Sequence, residues 1–218
     1  MDEELSVLVI MPEAPGLPPL ALWQEFNQLN DIAGIKVELV ANVYATRSRI
    51  AAALRKRHDV VIWSGHGAPN RLITADGSSV DGEWLATQAR CGAPVALVLA
   101  ACLSGASDED LKGIAELVSR NGVNAIGMMV AVQDTAAITY NVSFVEAMVA
   151  KANIGRAHDV ARKAMKDKDP TSAQGAVLFP ALSNGYRDDV DWKNEVDARL
   201  GAVERKIDML LDRKDSGR

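Results

Sequence analysis

Two short stretches carry reactive side chains at the ends of apolar runs. VVIWSGHG at residues 60–67 delivers His66, and ALVLAACLSG at residues 96–105 delivers Cys102. A thiol beside an imidazole is the smallest apparatus for nucleophilic acyl transfer. The imidazole takes the thiol proton and later returns it to the leaving group. Both runs are dense in Val, Ile and Leu, as parallel strands buried on both faces are. In open α/β sheets the chemistry gathers beyond the carboxyl ends of such strands. If the two strands are neighbours, His66 and Cys102 emerge side by side at one rim of the sheet.

The rest of the chain reads as the scaffold for that rim. Strands are predicted over 5–12, 34–42, 58–65, 94–101 and 124–132, with a last edge strand over 176–182, where Pro180 suits an edge better than a centre. Helices are predicted over 20–29, 46–56 with Thr46 as cap, 108–120 with Ser107 as cap, 135–151 and 155–166. Residues 71–90 read as a hairpin-like excursion followed by a short helix. This β-α alternation implies an α/β fold, a mostly parallel sheet with helices on both faces.

Composition narrows the function classes. With 218 residues, 48% of them hydrophobic, the chain can build one medium core with an appendage. A formal net charge of −5 argues against a nucleic-acid surface, which needs a basic stripe. The acidic start MDEEL and the short apolar run after it do not fit a secretory signal. The apolar stretch around 93–103 falls far short of the roughly 20 residues that span a bilayer. The expectation is a cytoplasmic protein with no membrane partner and with Cys91 and Cys102 as reduced thiols. GHGAPN after a strand lacks the last glycine of the dinucleotide fingerprint, and neither a Walker lysine nor GxSxG is present.

From about Val190 the pattern changes. Trp192, Val196, Leu200, Val203, Ile207 and Leu210 form an a/d-like seam among charged residues. Two domains are expected: a main domain over 1–187 and a C-terminal amphipathic, coiled-coil-like helix over 190–214. The helix either packs on the domain or serves self-association or a regulatory protein partner.

Four segments in order carry a family resemblance: ATRSRIAAALRKRHDVVIWSGHG, LITADGSSVDG, LVLAACLSG and GIAELVSRNGVNAIGMMVAVQDTAAITYNVSFVEAMVAK. Over roughly Val40 to Leu182 the chain resembles the caspase-like peptidases of the CHAT type, relatives of caspases and separase. That resemblance implies a caspase-like three-layer sandwich and a cysteine endopeptidase acting on protein or peptide substrates through an acyl-enzyme, with no cofactor and no metal. It implies Cys102 as nucleophile, His66 as catalytic base and acid, and the backbone N–H groups of Gly67 and Cys102 as oxyanion hole. In separase-like relatives an acidic residue near Asp134 reads a basic residue before the cut, implying Arg or Lys specificity. Resemblance to bacterial members implies a role in defence or stress signalling. The family often has a tryptophan where this chain reads GMMVAVQD, so the pocket wall differs.

The single residues also have plainer readings. Asp134 fits an N-cap as well as a pocket carboxylate. Cys91 reads as a structural or surface thiol, Asp76 as a turn former, and His58 and His158 as solvated. A β-branched residue at Gly67 is expected to hurt catalysis more than stability. The alternative to an enzyme is a catalytically silent caspase-like scaffold that recruits partners through the C-terminal helix.

Overall fold

The computed structural model describes residues 4–68, 70–102 and 113–182. The expected C-terminal helix over 190–214, Ser107 as a cap, and the beginning of the helix expected over 108–120 lie outside the described residues.

Five apolar runs form parallel strands: β1 (Leu5–Met11), β2 (Ile35–Ala41), β3 (Val60–Ser64), β7 (Ala96–Ala100) and β8 (Asn124–Met128). A sixth, β9 (Ala176–Phe179), runs antiparallel on the edge, giving the order β2-β1-β3-β7-β8-β9. Pro180 follows directly after β9, where no ladder N–H is needed. The register aligns the two chemical strands: Val60 pairs with Ala96 and Ser64 with Ala100, so His66 and Cys102 leave adjacent strands at the same rim.

Helices cover both faces. α1 (Leu22–Asn30) packs on α5 (Asp134–Val149), which packs on α6 (Ile154–Lys168) and α7 (Pro170–Gly175). On the other face α2 (Arg47–Leu54) packs on α3 (Gly82–Gly92) and α3 on α4 (Ile114–Arg120). Strand residues therefore split by alternation. Val7, Val9, Ile62, Val98 and Ile126 join one core with Tyr140 and Phe144, while Leu8, Ile10, Trp63, Leu97 and Leu99 are also fully buried. This is a three-layer α/β sandwich. A small antiparallel sheet, β4 (Gly67–Ala68), β5 (Arg71–Ile73) and β6 (Ser79–Val80), follows β3.

Several expectations are corrected. β8 stops at Met128, not residue 132, because its partners run out and Met129 N–H turns to the Gly175 carbonyl at 2.8 Å. α7 was not foreseen, although Asp169 caps it by accepting from Thr171 N–H, with Pro170 in the first turn. Thr46 occupies the N-cap of α2 without a side-chain cap bond, its hydroxyl lying 3.3 Å from that of Ser48. His58 and His158 are buried, not solvated. His58 Nδ1 lies 3.1 Å from Ser6 Oγ, and His158 Nδ1 lies 2.6 Å from the Tyr140 hydroxyl. Both sit on locally charged sequence, yet each precedes or faces the core. Among the described residues no helix is long and apolar enough to cross a membrane.

Candidate active site

His66 and Cys102 are both partly exposed at the carboxyl rim of the sheet. Their backbones come together through Gly67: a Cβ built there lies 2.8 Å from the Cys102 carbonyl oxygen and 3.0 Å from Ala101 Cβ. No side chain fits that approach. A β-branched residue at 67 therefore disturbs the packing of the two strand ends as well as any chemistry.

The two side chains are held by main-chain groups. His66 Nε2 lies 2.8 Å from the Pro18 carbonyl oxygen. A carbonyl only accepts, so Nε2 carries the hydrogen and Nδ1 is left as the basic nitrogen. Val132 N–H donates to Cys102 Sγ at 3.4 Å, which places the sulfur against the loop after β8. The sulfur and the imidazole are not hydrogen-bonded to each other among the described residues. Neither Pro18 nor Val132 was foreseen, since a main-chain contact leaves no mark on residue type.

Asp134 is not the N-cap of α5: Gln133 is, and Asp134 opens the first turn. Its Oδ2 accepts from Ala21 N–H at 3.1 Å, tying α5 to the start of α1. It lines a recess with Glu25, Ser64, Gly65 and Ala100, the last two lying one and two positions before His66 and Cys102. The recess has about 20 Å³ of free space, room for about one water.

Glu25 was not singled out from the sequence. It is 2% exposed. Its Oε1 accepts from Ser64 Oγ–H and from Asn141 Nδ2–H, both at 2.7 Å. Burial, reinforced by the Asp134 charge and only partly offset by those two hydrogen bonds, raises its carboxyl above the ordinary glutamate range. Asn141 Oδ1 is buried without a donor, and a protonated Glu25 has one to offer. The one legible signal was Ser64, a hydroxyl closing an otherwise apolar strand.

A test follows from the sign of that shift. A raised carboxyl contributes stability below its unfolded value near 4.5 and loses it as pH climbs through the folded value. Glu25→Gln keeps both accepted bonds and cannot ionise. It is expected to match the wild type at pH 4 to 5 and to exceed it at pH 8, by about 1.4 kcal/mol for each unit of the shift. Denaturant unfolding at the two pH values checks this, and a Gln variant less stable at pH 8 contradicts it.

Cys91 is a free, exposed thiol at the end of α3. Asp76 shapes its turn as expected: the Thr74 hydroxyl, then Ser78 Oγ–H at 2.7 Å and Ser78 N–H at 3.1 Å, donate to it and lower its carboxyl.

Among solved structures, the chain is similar to the Arg-specific cysteine proteinase gingipain R, with a TM-score of 0.57 and 13% identity, covering 78% of this chain and 43% of that one. It is similar also to the complex of Porphyromonas gingivalis RgpB pro- and mature domains, with a TM-score of 0.54 and 12% identity, covering 78% of this chain and 44% of that one. The chain thus spans less than half the length of either. No curated protein matches it. The model of the CHAT domain matches residues 12–195, which include both His66 and Cys102. The chain belongs to the CHAT family and carries its domain on a caspase-like α/β sandwich.

Proposed function

We propose that the chain is a caspase-like cysteine endopeptidase that uses Cys102 and His66. The observation that supports this most is the Pro18 carbonyl on His66 Nε2, which leaves Nδ1 as the nitrogen for proton transfer on the strand end next to that of Cys102. Nδ1 takes the Cys102 thiol proton, and the thiolate attacks the substrate carbonyl carbon. The N–H groups of Gly67 and Cys102 receive the developing oxyanion, a contribution of about 3–4 kcal/mol per donor in related chemistry. On collapse the C–N bond breaks, and Nδ1 gives its proton to the leaving amine. A water, deprotonated by the same nitrogen, then hydrolyses the thioester and frees the thiol.

The same reading extends to the residue before the cut. Asp134 and Glu25 converge on a recess beside Gly65 and Ala100, and neither makes an ion pair among the described residues. Two acidic groups without a cation suit an arginine or lysine side chain, the preference named for the similar Arg-specific gingipain R. The recess is water-sized in this state, so the loop before α1 must yield for that side chain to enter. Asp134→Asn is expected to lower kcat/KM on Arg or Lys peptides by about 10- to 100-fold relative to Leu peptides. Equal loss on both, or none on basic peptides, removes the specificity reading and leaves the dyad standing.

A further inference from the structure

On the far side of His66 from Cys102 the rim opens into a groove of about 510 Å³. It is bounded by the loop after β1, by Trp23 at the start of α1, and by Asn42 and Val43 after β2. Apart from His66, Glu13 is its one ionisable lining residue among the described residues. Three large apolar side chains on its walls stand in solvent: Leu17 at 44%, Trp23 at 51% and Val43 at 65% exposure. Large apolar side chains gathered on one exposed wall mark a contact surface more often than scattered ones do.

The groove is built to keep its shape. Pro12, Pro15, Pro18 and Pro19 fix the backbone of its loop. Pro15 and Gly16 occupy the centre of a turn closed by Leu17 N–H donating to the Ala14 carbonyl at 3.3 Å, with Gly16 at φ +74° as a type II turn requires. Trp23 is braced edge-on against Phe26, with ring centroids 5.7 Å apart. An ordered, half-exposed apolar wall binds without a further ordering cost.

The sheet order says what would lie there. Across the rim the order is the Val132–Asp134 loop after β8, Cys102 after β7, His66 after β3, the proline loop after β1, then Val43 after β2. The acyl half of a substrate stays on Cys102, beside Asp134. The departing amine must take its proton from His66, so the chain attached to it continues past His66 toward β1 and β2. We infer that this groove binds the residues following the cut and selects apolar side chains there, with Trp23 and Val43 as the specificity-determining residues. The inference rests on the peptidase reading for the direction of the substrate.

The test uses the full chain and a pool of fluorophore–quencher peptides with Arg before the cut and Leu, Phe, Ser or Gly in the three positions after it. The wild type is expected to cleave Leu and Phe peptides with a kcat/KM about tenfold above Ser and Gly peptides. Trp23→Ala should collapse that ratio toward one. So should Val43→Ser, which lies on a different element and answers the objection that Trp23→Ala loosens α1. Cleavage with equal turnover of all four peptides, unchanged in both variants, overturns the groove and leaves the peptidase reading intact. The same peptides, singly labelled, are titrated onto Cys102→Ala by fluorescence anisotropy. Apolar-selective binding that needs Trp23, alongside no cleavage by the wild type of these peptides or of counterparts with Leu, Ala or Asp before the cut, sinks the peptidase reading and keeps the groove. Neither binding nor cleavage overturns both.

Discussion

Cys102→Ala and His66→Ala are each expected to lower kcat/KM on a peptide substrate by at least about a thousandfold, and the double variant by no more than the worse single one. In the proposed mechanism the two side chains act as one unit: a thiol without a base and a base without a nucleophile both leave the acyl transfer uncatalysed. His66 Nε2 is committed to the Pro18 carbonyl, so the ring has one nitrogen for proton transfer and no other described histidine stands at this rim. His58 and His158 lie in the interior. Progress curves on the full chain measure the effect. A His66→Ala protein within about tenfold of the wild type would fall below what general acid–base catalysis supplies and would remove His66 from the mechanism.

Acid is expected to unfold the domain through His158. Burial, with a smaller contribution from the Arg162 charge, pushes its imidazole from the ordinary 6.5 down to about 3. The ring is 6% exposed and faces the Tyr140 hydroxyl at 2.6 Å. The unfolded chain binds a proton at 6.5 and the folded chain does not. The associated stability is therefore complete above pH 6.5 and drains away as pH falls toward 3, at up to about 1.4 kcal/mol per pH unit. His58, also lowered by burial, acts in the same direction. Glu25 acts in the opposite one, since its carboxyl prefers the proton when folded. His158→Gln removes this titration while keeping a polar partner for Tyr140. It should flatten the slope between pH 6 and 4 in denaturant unfolding. An unchanged slope would mean that the ring is already charged in the folded protein.

Much of this architecture was legible in residue order. The runs LSVLVIM, VVIWS and ALVLA are continuous because both faces of their strands are buried. That continuity, with its abrupt stop in Gly65 and Ala101, marks the rim in the sequence itself. Boundaries were less legible. Residues 129–132 are apolar enough to extend β8, but a strand ends where its partners end, and pairing is not written in one segment.

The candidate site shows in the residue types of its proposed reactive groups and not in their supports. Cys102 and His66 have distinctive side chains, whereas the Pro18 carbonyl and the Val132 N–H belong to the backbone every residue shares. Glu25 sits in LWQEFNQLN, where a charged residue in a stretch with Gln24, Asn27 and Gln28 reads as solvated. Only the fold brings it under β3, against Ser64 and Asn141. The burial of His158 is hidden for the same reason: it lies in the charged stretch GRAHDVARK, and the helix face that buries it is set by Tyr140 on α5.

The most direct measurement is covalent capture of the nucleophile. An acyloxymethyl ketone carrying arginine is incubated with the full chain, and intact mass is read on the wild type, Cys102→Ala, His66→Ala and, to remove the exposed second thiol, Cys91→Ser. A single adduct on the wild type and on Cys91→Ser, absent from Cys102→Ala and strongly slowed in His66→Ala, is the predicted result. Labelling that survives Cys102→Ala and disappears with Cys91→Ser would contradict the account, as would Cys102 labelling at the same rate with and without His66.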